Sequence, residues 1–187
     1  MTVADGVDTA LRNRIADFLD TSDPEALIPQ RPEWSLMGTG FNTLNENPQA
    51  QIDTKAYISD ATATSIIRGY EAQFPFDTDL IYSEKAVMSL YMIGRDRLQG
   101  RRAERNYIRV EIFMDEPPGM PGFKPARRFR VAVEVTNIAG GGAEVIHVTG
   151  NLNSVGDHVD GYFNIDTKEF VAKGDTASFH TGGGIID

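Results

Sequence analysis

Arg127-Arg128-Phe129-Arg130-Val131-Ala132-Val133-Glu134-Val135-Thr136 puts Phe129, Val131, Val133 and Val135 on one side and Arg128, Arg130, Glu134 and Thr136 on the other. Side chains of an extended strand alternate between faces, so this stretch reads as a strand with one dry and one wet face. The pattern continues in both directions. Over 105–115, Ile108, Val110, Ile112 and Met114 alternate with Tyr107, Arg109, Glu111 and Phe113. After the turn Gly140-Gly141-Gly142, Ile146, Val148 and Leu152 oppose His147, Thr149, Asn151 and Asn153. A last hairpin is expected to pair 161–165 with 168–172 around Asp166-Thr167.

The first half is less regular. Val7, Leu11, Ile15, Phe18 and Leu19 after Asp8 have helical spacing and predict a short amphipathic helix. Pro24, Pro29 and Pro32 then make 21–33 an extended arm. A first strand is expected over 34–41, a loop over 42–48, and a hairpin of strands 50–58 and 64–74, the latter with Ile66, Tyr70 and Phe74 on one side. Ser83 is a candidate cap for a helix with Val87, Leu90, Tyr91 and Leu98 on its apolar face, ending near Gly94 or Gly100. Pro117, Pro118, Pro121 and Pro125 stiffen 115–125, which suits a contact loop because a pre-set backbone loses little entropy on docking.

These elements predict a mainly β chain: an antiparallel β-sandwich or partial barrel with one flanking α-helix and an extended N-terminal arm. The expected organisation is an arm over 1–33, a β domain over 34–173 and a mobile tail over 174–187. A chain of 187 residues with 41% hydrophobic content suits one globular domain. There is no cysteine, which excludes disulfides and thiolate chemistry. The net charge of −9 has the wrong sign for gripping phosphates. Yet Arg95, Arg97, Arg101, Arg102, Arg105 and Arg109 crowd one segment while acids dominate the first part of the chain, an asymmetry suited to complementary faces between subunits. The opening residues lack the pattern of a signal peptide, and no apolar run approaches the roughly 18 residues a span requires, so synthesis in the cytoplasm and no membrane partner are expected.

Motifs for chemistry are sparse. His147, His158 and His180 are scattered, without the three- or four-residue spacing that would put two ligands on one helix face, so no metal is expected. Gly38-Thr39-Gly40 begins like a dinucleotide fingerprint, but Thr43 stands where the third glycine belongs. Neither a phosphate-cradling loop nor a Gly-x-Ser-x-Gly elbow occurs. With 27 acidic residues, neighbours such as Asp115-Glu116 or Asp77-Asp79 arise by chance and read as solvated loop charges. No cofactor and no enzymatic activity are expected.

Five phrases occur in consistent order: Gly40-Phe41-Asn42-Thr43-Leu44-Asn45-Glu46-Asn47-Pro48, Lys55-Ala56-Tyr57-Ile58, Phe74-Pro75-Phe76-Asp77-Thr78-Asp79, Glu84-Lys85-Ala86-Val87-Met88-Ser89-Leu90-Tyr91 and Pro125-Ala126-Arg127-Arg128-Phe129-Arg130-Val131. Together they resemble the major tail tube proteins of long-tailed, siphovirus-type bacteriophages, over about residues 38–172. The resemblance implies a virion structural subunit whose copies close into hexameric rings that stack into a hollow tube. Genome DNA would meet the tube only in passage. It further implies partners among other tail proteins (tape measure, tail terminator, distal tail protein) and location in the virion tail.

Lumen candidates on that basis are Asp53, Lys55, Glu71, Arg130, Glu134, Thr149, Asn151 and Asn153. Inter-ring contact candidates are Asn42, Asn45, Asn47, Pro117, Pro118 and Pro121. The alternatives are the tube of a gene transfer agent or tailocin, another tail component, a carbohydrate-binding β-sandwich, or a small acidic hydrolase.

Overall fold

The computed structural model describes residues 9–26, 31–55, 62 and 64–175. The expected mobile tail lies almost wholly outside them, as do the first eight residues. The described chain is mainly β with one α-helix. Its elements are β1 (Ile15–Asp20), β2 (Trp34–Leu36), β3 (Phe41–Leu44), β4 (Ala50–Lys55), β5 (Thr64–Tyr70), β6 (Gln73–Asp79), α1 (Lys85–Arg95), β7 (Glu104–Glu111), β8 (Phe123–Ala139), β9 (His147–Ser154), β10 (Val159–Asn164) and β11 (Glu169–Ala172). Nine strands form a sheet that does not close into a barrel: its path is β2-β1-β7-β8-β9-β6-β3, and β10 joins β8 and carries β11. β4 and β5 form a separate two-stranded sheet. The described residues fall into two compact units, one drawn from 18–107 and 129–158, the other from 9–17, 108–128 and 159–175.

The larger unit holds an apolar core built from the alternation read in β8 and β9. Val131, Val133, Val148 and Leu152 join Leu19, Phe74, Phe76, Leu90 and Tyr107 in one cluster. Three rings meet at its centre, Phe74 lying 4.8 Å from Tyr107 and 4.9 Å, edge-on, from Phe129. Such tilted contacts favour ring pairs beyond the area they bury. α1 adds Ala86, Val87, Leu90 and Ile93, an i, i+1, i+4, i+7 stripe. Ser83 is not its cap; the helix starts after Glu84 and has no side-chain cap. Gly94 serves close packing, since a Cβ there would lie 2.7 Å from Val135 Cγ1. The stop comes from Arg97, in left-handed backbone at φ 51°. Its N–H donates to Gly94 O (3.2 Å) and that of Leu98 to Ile93 O (3.1 Å), closing the last turn as a Schellman motif.

In the smaller unit, β10 pairs with the first part of β8 from Val159↔Arg128 to Asn164↔Phe123 and with β11 from Gly161↔Ala172 to Asn164↔Glu169. This is the hairpin expected near the end of the chain. Ile108, Val110, Ala126, Phe163 and Val171 are buried. So are Asp17 and Arg109, joined by an Nε–Oδ1 contact of 2.8 Å.

Four local expectations need correction. The described part of the N-terminal segment is not an α-helix: Ile15–Asp20 is a strand paired with β2, Phe18 against Leu36. The spacing misled because Phe18 and Leu19 are adjacent and both buried, so they satisfy a helical stripe as well as a strand in the sheet interior. The 42–48 segment is not wholly a loop, for Phe41–Leu44 is β3, paired with β6, and Asn47 makes a bridge to Gln73. The strand expected over 64–74 is divided: β5 ends at Tyr70, and Phe74 belongs to β6. Pro125 lies inside β8, opposite Tyr162, so the proline-rich connection is shorter than expected. The expected hairpin of 50–58 with 64–74 is present as β4 and β5, Ala50 opposite Tyr70 and Lys55 opposite Thr64. Among the described residues no helix is long and apolar enough to cross a membrane.

Candidate functional site

The most organised polar surface of the larger unit is one face of β6, β9 and β8. Alternation sends Phe74, Phe76, Thr78, Val148 and Leu152 inward. Their neighbours Gln73, Asp77, Asp79, His147, Thr149, Asn151 and Asn153 therefore share the opposite face. Register fixes their order, with Gln73 opposite Asn153, Asp77 opposite Thr149 and Asp79 opposite His147. On the other side of β9, Glu134 stands opposite Asn151. Gly150 permits this close pairing, because a Cβ there would sit 2.0 Å from Glu134 O and 2.9 Å from Phe76 Cζ.

Side chains link across the strands. Asn153 Nδ2 donates to Glu134 Oε2 at 3.1 Å, and Thr136 Oγ1 donates to Thr149 O at 3.1 Å. His147 Nδ1 lies 3.1 Å from Asp79 Oδ1 and 3.5 Å from Asp77 Oδ1. Asn42 Nδ2 also donates to Asp79 Oδ1, at 2.8 Å, which ties β3 to the same surface. Among the described residues neither Asp77 Oδ1, apart from the 3.5 Å approach of His147, nor Asn153 Oδ1 has a hydrogen-bond partner. The face is thus polar, cross-linked and acidic, carrying Asp77, Asp79 and Glu134 against one histidine, which stands beside Asp77 and Asp79. Among the described residues no group of three or more His, Asp or Glu side chains is arranged to hold a metal ion.

The structure brings together four of the eight lumen candidates: Glu134, Thr149, Asn151 and Asn153. Arg130 lies on β8 but is engaged by Glu104, whose Oε2 accepts its Nε at 2.7 Å. Asp53 and Lys55 lie on β4 in the separate two-stranded sheet, where Asp53 pairs with Arg68. Glu71 follows β5 and accepts from Gln51 Nε2 at 3.3 Å. Of the contact candidates, Asn42 is on β3, while Asn45 and Asn47 donate backbone N–H groups to Pro75 O and Gln73 O. In the smaller unit, Pro118 and Pro121 are exposed and Pro117 is half-buried. The turn there is tight, Met120 N–H donating to Pro117 O at 3.2 Å.

Sequence reasoning missed Gln73, Asp77 and Asp79, which were read as strand end or solvated loop. A signal existed in the alternation of Phe74, Phe76 and Thr78 with Pro75, Asp77 and Asp79, obscured by the proline in its midst.

No family model matches the chain, and no curated protein matches it. A solved structure with a similar course is a chain of the anti-feeding prophage baseplate, determined by cryo-electron microscopy with six-fold symmetrisation. It aligns over 83% of this chain and 97% of that one at 9% identity, with a TM-score of 0.42. A likeness at this level carries no functional argument.

Proposed function

We propose that the chain is a structural subunit of the tail tube of a long-tailed phage or phage-tail-like particle, self-associating into rings and without catalytic activity. The observation that carries the reading is that four of the five tail-tube-like phrases converge on one core. Leu44 from β3, Phe74 and Phe76 from β6, Ala86 and Leu90 from α1, and Phe129 and Val131 from β8 all belong to a single cluster, with Phe41 packed against it.

Two further features support it. The sheet path ends in β3 and β2, whose outer backbone groups suit pairing with another copy. The acidic face of β6, β9 and β8 suits a channel wall, because phosphates are repelled from it and DNA in passage does not adhere. Hexameric closure, the siphovirus class and the named tail partners follow from the resemblance alone.

Negative-stain electron microscopy of the purified chain at high concentration is the direct test. Rings or hollow tubes are expected; a strictly monomeric protein that no tail tip can seed overturns the proposal. The Glu134→Lys variant examines the channel face. Its tubes are expected to assemble yet retain DNA at low salt, since a cation repeated along the tube adds many weak phosphate contacts. Unimpaired DNA passage at low salt would mean that this face does not meet DNA.

A further inference from the structure

A cleft of about 400 Å³ opens in the smaller unit, where Thr9, Ala10 and Arg14 line it together with Ile112, Phe113 and Met114. Arg14 O accepts from Ile112 N at 2.9 Å, which holds the two segments side by side. Phe113 and Met114 are 44% and 41% exposed, so their apolar surface is within reach of an occupant.

The charges around the cleft are unequal. Lys124 also lines it, but its Nζ donates to Met114 O at 3.2 Å and lies 3.7 Å from Glu116 Oε1. The Arg14 side chain is exposed and meets no acceptor among the described residues. Asp115 is the opposing charge. A segment with small apolar side chains and a carboxylate suits such a surface, the apolar part on Phe113 and Met114 and the acid on Arg14.

The eight residues before Thr9 are Met1-Thr2-Val3-Ala4-Asp5-Gly6-Val7-Asp8. They carry four apolar side chains, two carboxylates and no lysine or arginine. Their attachment to Thr9 decides where the nearest of them lie. Consecutive Cα atoms are about 3.8 Å apart, so Asp8 and Val7 stay within about 4 and 8 Å of a residue that lines the cleft. A free partner must be recruited from solution, whereas a tethered one is present at an effective concentration of about a millimolar or more. We propose that residues 1–8 dock in this cleft of their own chain, with Val7 on Phe113 and Met114 and the Asp8 carboxylate paired with the Arg14 guanidinium. The docked segment covers an apolar patch next in sequence to the proline-rich turn and anchors the N-terminal arm to the smaller unit. The proposal does not depend on the tail-tube reading.

The test uses NMR on the full chain at low protein concentration. Overhauser contacts from the Val7 methyls to the Phe113 ring and the Met114 methyl are sought in a mixture of labelled and unlabelled chains, so that contacts within a chain and between chains are read separately. Contacts within one chain are expected, with slowed hydrogen exchange at the Val7 and Asp8 amides. Arg14→Gln and Asp8→Asn are each expected to speed that exchange by about two- to fivefold, the range for an exposed ion pair. The double variant is expected to go no further than either single one, because the pair is already lost in both. Arg14 is exposed, so its substitution leaves the core in place. The proposal is overturned if Val7 makes no contact with Phe113 or Met114, or if exchange is the same in the parent and in Arg14→Gln. Contacts found only between chains overturn it as well and assign the cleft to the segment of a neighbouring copy.

Discussion

Asp17→Ala is expected to be among the most damaging single substitutions in the smaller unit. The Asp17 and Arg109 side chains are 1% and 4% exposed, joined through Nε–Oδ1 at 2.8 Å and Nη2–Oδ2 at 3.5 Å. Arg12 Nη2 adds a contact to Asp17 Oδ2 at 2.5 Å from a half-exposed position. Removing the carboxylate takes the compensating charge from a guanidinium in a dry site, which costs about 3–5 kcal/mol. That is a large fraction of the roughly 5–15 kcal/mol by which folded domains are stable. With a urea m-value of about 2 kcal/mol/M, the unfolding midpoint falls by about 1.5–2.5 M. The double variant Asp17→Leu/Arg109→Met removes both charges and is expected to recover most of the loss, because an apolar pair of similar volume carries no desolvation penalty. Urea titration followed by circular dichroism measures both. A midpoint for Asp17→Ala within about 0.3 M of the parent, or a double variant no more stable than the single one, refutes the reasoning.

Gly150→Ala is expected to destabilise by about 1–3 kcal/mol or more, because the new methyl meets the backbone of β8 and neither strand can yield locally; an unchanged melting temperature would contradict the register given for β8 and β9. Arg97→Gly is expected to stabilise by about 1 kcal/mol, since glycine adopts the left-handed conformation that ends α1 without the strain an L side chain meets there; thermal unfolding reads the sign directly. Two or three aspartates inserted after Pro118 are expected to leave the domain folded but to block tube growth in micrographs, as that turn is exposed and outside the larger core; normal tubes would remove it from the contact set.

How much of this was legible beforehand depended on the range of the forces involved. The alternation of Phe129 to Thr136 and of Val148 to Asn153 sufficed to assign strands, to divide buried from wet faces and to put Thr149, Asn151 and Asn153 on one face, because period two is a property of the local backbone; Glu134 joined them beforehand only through the family resemblance. The closing hairpin was equally readable, its two strands being separated only by a tight turn. The helix α1 was readable in part: Val87 and Leu90 lie on its buried stripe as expected, whereas Ala86 and Ile93 complete it, Leu98 falls beyond the last turn, and the stop at Arg97 did not follow from composition. Tertiary structure alone decided the rest. Asp17 and Asp20 look like surface acids until Arg109 and Asn106, 92 and 86 positions away, are found beside them. Phe41–Leu44 became a strand because β6 had an edge to satisfy, and Asn42 meets Asp79 across 37 positions. A cleft beside Arg105 is likewise an outcome of packing, lined by residues as far apart as Asp20, Pro32, Arg101 and Arg130. Periodicity records which side of a segment is dry, a fact written into neighbouring residues. Which segments share a sheet, and which charges meet in it, depends on contacts between distant parts of the chain, whose free energy no local pattern encodes.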